Sequence, residues 1–393
     1  MKKIGIMTQY CESINYGGNL QAYALTYYLN KNGYNALQIS YPINVYSNSE
    51  SNWKKILRKI KTSPLKFFAS AVRYILEFFK KKIHKQDLVK LKEIDLKRQK
   101  SFEHFNIDLI PHTKQKYFDE ELYKLNDQFD VFITGSDQVF NLNLFKVGYF
   151  LNFAHDDKTK FSYAASMALD EIPKNKRSFM KSSLERYNAI SVREEHTVKI
   201  LEELTGKNVE LVVDPTLLLD KEDWDKVSSD RIIDSDYIFC YFLGDNPQER
   251  FIAKEFGQKV DMQIVSIPMC KKHYRYCDWD YGDQNFPFAS PEDFISLISN
   301  ANYVFTDSFH ACIFSLIYKK QFVVFNRNKS GTMSTRIDSL VKLFHVEDRY
   351  IKDINLKNVE KALNLQNDFY LNDFIDLKDK SIFFLKRNLG NKI

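Results

Sequence analysis

Several kinds of segment and motif are missing from this sequence, and each absence excludes a class of protein. No run of 18 apolar residues occurs, so we predict no transmembrane helix. The start, MKKIGIMTQYCES, turns polar after a few apolar residues, which is typical of a first β-strand and not of a secretory signal peptide. No GxGxxG, GKS or GKT motif follows the first strand, which argues against a dinucleotide-binding or P-loop protein.

Cysteine is also scarce. The five cysteines are scattered and form no CxxC pair: Cys11, Cys240, Cys270, Cys277 and Cys312. This usage is typical of a reducing compartment and leaves no cluster of metal ligands. We therefore predict a cytoplasmic protein without a metal site. Its 393 residues, 44% of them hydrophobic, are enough for two domains of ordinary size.

Positive charge is concentrated in one segment. Residues 51–100 contain 16 Lys or Arg and 4 Asp or Glu, so this segment carries +12 and the remainder of the chain −6. Apolar residues at helical spacing among these lysines predict a basic helical insertion over about residues 47–105. Two interpretations remain open: a lid or helical hairpin packed on its own domain, and peripheral contact of residues 51–100 with an anionic membrane surface. Nucleic acid is not predicted, because the aromatic residues have core-like spacing.

Strands alternate with helices along the chain, which predicts α/β units with parallel sheets. The opening unit is a strand, a loop over Gln9 to Gly18 and a helix. The loop ends in NYGGN, which begins at Asn15, and its two glycines, Gly17 and Gly18, let backbone approach a ligand. The alternative is a turn that binds nothing.

Polar residues follow the ends of several further predicted strands: Ser136 and Asp137 after DVFITG, Arg193 in AISVRE, and Asp214 after VELVV. Any one of them alone is explained by a helix cap or a turn. In an open parallel sheet, however, such positions share the edge where ligands bind, so we expect these residues to line one site.

The stretch from Tyr303 to Leu316, YVFTDSFHACIFSL, places a strand, a polar turn and a helix in immediate succession. A helix that starts at Ser308 leaves unbonded backbone N–H groups near Phe309, and the helix dipole favours an anion there. His310 lies beside this point and is a candidate proton donor.

Seven stretches in this order resemble the polysaccharide pyruvyl transferase family: NYGGNLQAYAL (15–25), DVFITGSDQVFN (130–141), FSYAAS (161–166), AISVREEHT (189–197), VVDPTLLL (212–219), YVFTDSFHACIFSL (303–316) and STRIDSL (334–340). The resemblance implies a GT-B-like α/β fold. Two Rossmann-like domains, over residues 1–220 and 235–365, would face each other across a cleft, and a C-terminal helix within 366–393 would cross back to the first.

The resemblance also implies an activity. Members of the family transfer a pyruvyl group from phosphoenolpyruvate to two hydroxyls of a sugar, forming a cyclic ketal and releasing phosphate. The implied acceptor belongs to a cell-surface polysaccharide, such as a capsule or exopolysaccharide, or to its lipid-linked oligosaccharide precursor. No cofactor besides the donor substrate is implied.

The resemblance assigns roles to the candidate residues. His310 matches the motif histidine and is implied to protonate the methylene carbon of phosphoenolpyruvate. Asp137 is a candidate base for the sugar hydroxyl, and Arg193 is a family-like anion clamp. Backbone N–H groups near Phe309 and His310, directly after Ser308, are candidates to hold the phosphate.

The chain departs from the family pattern at one position. Better-known members carry an arginine where this chain has Ser308, and our hypothesis is that Arg336 supplies that charge from the second domain. Two other functions stay open: a nucleotide-sugar glycosyltransferase on the same architecture, and a non-catalytic glycan-binding protein.

Overall fold

The computed structural model describes residues 2–43, 85–271, 273–274, 276–278, 281–327, 334–365 and 372–390. Within them the chain builds two parallel β-sheets, one from strands before residue 212 and one from strands after residue 236. Most of the predicted basic insertion, residues 47–84, lies outside the described residues, and so does most of the segment predicted to contact a membrane.

The first sheet contains β1 (Lys3–Met7), β2 (Asn35–Ser40), β3 (His112–Lys116), β4 (Val131–Thr134) and β5 (Thr159–Ser162). These five strands are parallel and lie in the order β3-β2-β1-β4-β5. A parallel pair, β6 (Ile190–Val192) and β7 (Val209–Leu211), continues the sheet beyond β5 through single bridges. The carboxyl ends of all these strands therefore point to one edge, where β1 and β4 lie at the centre.

The second sheet contains β8 (Tyr237–Tyr241), β9 (Gln263–Ser266), β12 (Gln284–Asn285), β13 (Tyr303–Thr306), β14 (Gln321–Phe325) and β15 (Tyr350–Ile351). They are parallel in the order β12-β9-β8-β13-β14-β15. The short strands β10 (Cys270–Lys271) and β11 (His273–Tyr274) form a separate antiparallel pair. Strands β8 and β13 are central, so the turn after β13 lies at the middle of the carboxyl edge.

The described α-helices of eight or more residues are α1 (Tyr16–Lys31), α2 (Lys85–His104), α3 (Arg177–Glu185), α4 (Glu195–Thr205), α6 (Pro247–Val260), α7 (Pro291–Ser299), α8 (Phe309–Ile317), α9 (Ser334–Leu343), α10 (Leu356–Leu363) and α11 (Asn372–Leu389). A shorter helix, α5, spans Lys221–Asp225. The predicted loop over Gln9 to Gly18 is wrong at its end, because α1 already begins at Tyr16. The Asn15 side chain accepts a hydrogen bond from Gly17 N at 3.1 Å and caps the helix, which draws both glycines into its first turn.

Apolar side chains cover both faces of each sheet. On the first sheet, Ile4 and Met7 belong to different core clusters, and on the second sheet Phe239 and Phe305 do the same. The cluster around Ile4 also includes Phe239, so one continuous core joins the two sheets. Helices on both faces of two parallel sheets confirm the predicted α/β fold class.

Residues 219–236 link the two predicted domains, and Trp224 of this linker lies in the core that joins the two sheets. Trp224 is fully buried, and its ring lies 4.8 Å from Phe314 of α8 and 5.7 Å from Tyr23 of α1. Burying an aromatic side chain of this size contributes about 3 kcal/mol. The linker therefore also packs between helices of the two sheets.

Helix α11 crosses back to the first sheet, as predicted. The Ser381 hydroxyl accepts a hydrogen bond from Val213 N at 2.9 Å, and Lys378 pairs with Asp220 at 2.8 Å. Phe384 is fully buried on the inner side of the helix. These contacts fasten the C-terminal helix beside the end of β7.

Helix α2, which follows residues 44–84, contacts both halves of the molecule. Its Phe102 lies in the common core, while the Ser101 hydroxyl donates to the Phe288 carbonyl at 2.9 Å. Arg98 donates to the carbonyls of Pro268 and Pro287 at 3.3 and 3.4 Å. This end of the predicted insertion therefore does not pack on its own domain alone.

Candidate active site

A cleft of about 380 Å³ lies between the carboxyl edges of the two sheets. Seven of the residues predicted for the site line it: Asn15, Gly17, Asp137, Ser308, Phe309, His310 and Arg336. The other four do not line it: Gly18, Ser136, Arg193 and Asp214. The parallel topology accounts for the gathering of residues from distant stretches, because strand ends from each sheet converge on one opening.

The turn after β13 is held rigidly. The Asp307 carboxylate is fully buried and accepts hydrogen bonds from the backbone N–H groups of Leu243 and Gly244, at 2.6 and 2.5 Å. Ser308 caps α8, since its hydroxyl accepts from Ala311 N at 3.5 Å. The N–H groups of the first helical turn have no carbonyl acceptor within the helix. This end of α8 therefore presents hydrogen-bond donors and a positive dipole at the cleft.

His310 is buried between the two sheets. Its side chain is 10% exposed, and Nε2 lies 3.8 Å from Asp214 Oδ2 without any hydrogen-bond partner. Burial lowers the pKa of His310 to about 4, although the negative charge of Asp214 opposes this shift. The imidazole is consequently neutral at pH 7, and a bound anion would raise its pKa.

Arg193 does not line the cleft, because three carboxylates surround it inside the first sheet's edge. Nη1 lies 2.5 Å from Asp214, Nη2 lies 3.4 Å from Asp137, and Nε lies 3.5 Å from Glu194. Phe309 covers the guanidinium, with its ring centroid 4.7 Å from Cζ. The arrangement fixes the carboxylates of Asp137 and Asp214 in place. The assignment of Arg193 as an anion clamp stays a prediction.

Asp214 is fixed by further hydrogen bonds. It accepts from Thr216 N and Oγ1, at 3.0 and 2.7 Å, and from the Ser136 hydroxyl at 3.1 Å. Burial opposes ionisation, but the charge of Arg193 and the Thr216 hydrogen bonds hold the pKa of Asp214 below its usual value. Asp214 is therefore an ionised carboxylate at neutral pH, and it lies 3.8 Å from Nε2 of His310.

Asp137 has a strained backbone. Its φ of 65° and ψ of −168° lie in a region that is almost confined to glycine. Its side chain lines the cleft, and its carboxylate lies near Gly18, where an added Cβ would be 3.4 Å from Oδ2. A strained backbone conformation at a residue whose side chain lines a cleft is typical of a functional site.

Two arginines, which follow the strand β14, line the cleft together with the start of α8. Arg327 follows β14, and its Nη2 donates to the Asp307 carbonyl at 2.9 Å while Nε lies 3.5 Å from the Asp307 carboxylate. Arg336, at the start of α9, is 6% exposed. Burial, together with the positive charges of Arg193 and Arg327, lowers the pKa of Arg336 to about 10. A bound anion would relieve this repulsion.

Two charged residues that line the cleft, Arg98 and Arg327, were not predicted from the sequence. Arg327 lies two residues after the end of the buried strand β14, so the strand-end position that pointed to Asp137 also applied to it. Arg98 carried no such signal, because α2 reaches the cleft only through its packing against the second sheet.

The fold places the chain among GT-B-like proteins. Solved structures of similar shape include a putative UDP-N-acetylglucosamine 2-epimerase from Listeria monocytogenes (TM-score 0.55, 9% identity, 100% of this chain and 97% of that chain). The S. aureus MnaA–UDP co-structure has a TM-score of 0.52 at 11% identity, covering 99% and 97%. At these identities the likeness shows the fold alone.

The family follows from the sequence. The model of the polysaccharide pyruvyl transferase family matches residues 15–329, and the chain belongs to this family of transferases. No curated protein matches the chain. The predicted family and the predicted GT-B-like fold are both confirmed.

Two observations concern only the part of the chain that the structure describes. There, every helix is too short or too polar to traverse a bilayer. Within the same residues, no three His, Cys, Asp or Glu side chains are grouped so as to hold a metal ion.

Proposed function

We propose that this protein transfers the pyruvyl group of phosphoenolpyruvate to two hydroxyls of a cell-surface glycan or its lipid-linked precursor. The observation that carries the proposal is the surroundings of His310. A buried imidazole with an unbonded ring nitrogen lies at a helix N-terminus beside two arginines, in a chain of this family. This is the set of groups that protonation of an anionic enol requires.

The donor's two anionic groups match the positive end of the cleft. Phosphate and carboxylate both accept hydrogen bonds from helix N-termini and from guanidinium groups. Arg327 and Arg336 therefore bind the donor in our proposal and replace the arginine that better-known members carry at the position of Ser308. Anchoring Arg327 to Asp307 holds it near the start of α8 before the donor arrives.

In the proposed reaction two protein groups, His310 and Asp137, carry the protons. The donor's negative charge raises the pKa of His310, which becomes protonated and delivers its proton to the methylene carbon. A sugar hydroxyl adds to the resulting oxocarbenium carbon and gives its proton to Asp137. Asp137 returns that proton to the departing phosphate as the carbon–oxygen bond to phosphate breaks. The second hydroxyl closes the ketal, and its proton restores His310.

The test is release of inorganic phosphate from phosphoenolpyruvate in the presence of acceptor glycans, including lipid-linked oligosaccharides. His310→Ala should abolish release. His345→Ala is the matched control, because His345 is exposed and pairs with Asp373 at 3.0 Å on the surface. Equal activity in wild type and His310→Ala would overturn the proposal, as would thermal stabilisation by UDP- or GDP-sugars but not by phosphoenolpyruvate.

A further inference from the structure

Gly17 lies against the imidazole of His310. A Cβ built on Gly17 would lie 2.0 Å from Nδ1, 2.3 Å from Cε1 and 2.7 Å from Cγ of that ring. These are its three nearest neighbours, and nonbonded heavy atoms need about 3.5 Å. Only glycine therefore leaves room for the imidazole where it lies.

The local backbone does not itself require a glycine at this position. Gly17 occupies the first turn of α1, and its N–H is bonded to Asn15 Oδ1, which an alanine would preserve. Its φ is not among the positive values found at other glycines of the chain. Alanine is moreover the better helix former. The contact with His310 is the feature of this site that excludes a side chain.

The two residues come from opposite sides of the cleft. Gly17 belongs to α1, which follows the central strand of the first sheet, and His310 belongs to α8, which follows a central strand of the second. Asp214, also on the first sheet's side, faces the other ring nitrogen at 3.8 Å. His310 is therefore held between Gly17 and Asp214 only while the two sheets are apposed.

We infer that Gly17 is a positioning residue: it seats the imidazole of His310 against the first domain, beside Asp214. Gly17 of NYGGN thus aligns the proton carrier. The proton-carrying role rests on the proposed function, whereas the seating of the ring does not.

A thermal double-mutant cycle tests the seating. Gly17→Ala should lower the melting temperature by about 2–10 °C in the wild-type background, because the methyl group displaces the ring. In the His310→Ala background the clash is absent, so the same substitution should leave the melting temperature unchanged or slightly higher. Equal losses in both backgrounds, or failure to fold in both, would place the cost within α1 and overturn the inference.

Kinetics provides the second readout. Gly17→Ala should reduce kcat about 100-fold, since a misplacement of about 1 Å has effects of this size. The KM for phosphoenolpyruvate should stay near that of the wild type, because the donor's arginines are untouched. Unchanged kcat would contradict the inference. If the wild type itself shows no turnover, the proposed function fails and the thermal cycle alone decides the seating.

Discussion

Replacing Asp137 by glycine separates the strain of its backbone from the function of its side chain. A residue in this conformation costs about 1–3 kcal/mol, whereas glycine adopts it without a steric penalty. The greater entropy of glycine in the unfolded chain opposes this gain by about 0.5–1 kcal/mol. Asp137→Asn is the matched control, since it removes the same charge and keeps the Cβ.

We therefore expect the free energy of unfolding of Asp137→Gly to exceed that of Asp137→Asn by about 0.5–2 kcal/mol. Arg193 keeps Asp214 at 2.5 Å in both variants, so the loss of charge cancels in the comparison. Urea unfolding measures the difference, and phosphate release should fall by about 10²–10⁴-fold in both. A glycine variant less stable than the asparagine variant, or one as active as the wild type, would refute this reasoning.

Three further predictions concern other charged groups. Arg327→Gln should weaken phosphoenolpyruvate binding about 10–100-fold, as measured by calorimetry. The control Arg387→Gln removes a surface arginine and should bind phosphoenolpyruvate as the wild type does. Equal affinities of Arg327→Gln and the wild type would contradict the donor site. Burial keeps His310 neutral down to about pH 4, whereas the same histidine in the unfolded chain is protonated at a higher pH, so the free energy of unfolding should fall from pH 6.5 towards 4. His310→Gln should lose less stability over this pH range. Parallel curves of stability against pH for the two proteins would contradict the lowered pKa of His310. Burial and the nearby charge of Asp307 raise the pKa of Glu249 to about 8, so the wild type loses stability as the pH rises from 4.5 to 8. Glu249→Gln should therefore have a higher melting temperature than the wild type at pH 8, but not near pH 4.5. A lower melting temperature of Glu249→Gln at pH 8 would contradict the raised pKa.

The features predictable from sequence are those that depend on neighbouring residues. The turn at Ser308 and the helix that follows are encoded in one stretch, and the structure has them as expected. Asp137 and Asp214 were likewise expected in the site because they follow strands of a parallel sheet, and both lie near His310. The start of α1 was misplaced because two adjacent glycines indicate a loop, whereas the capping side chain of Asn15 overrides their low helix propensity.

The remaining features depend on the packing of the two sheets against each other. The contact between Gly17 and His310 joins positions almost 300 residues apart, and no local pattern signals it. Arg98 reaches the cleft because α2 docks on the second sheet. Arg193 was recognisable as a charged residue at a strand end, but its burial among three carboxylates depends on strands that only the fold brings together.

The central claim is that His310 protonates the methylene carbon of phosphoenolpyruvate during transfer to a glycan. The most direct measurement is mass spectrometry of the glycan product formed in D₂O. If the claim is correct, the ketal's methyl group carries one deuterium from solvent, and no ketal forms with His310→Ala. A ketal with an unlabelled methyl group, or a labelled ketal formed equally well by His310→Ala, would contradict it.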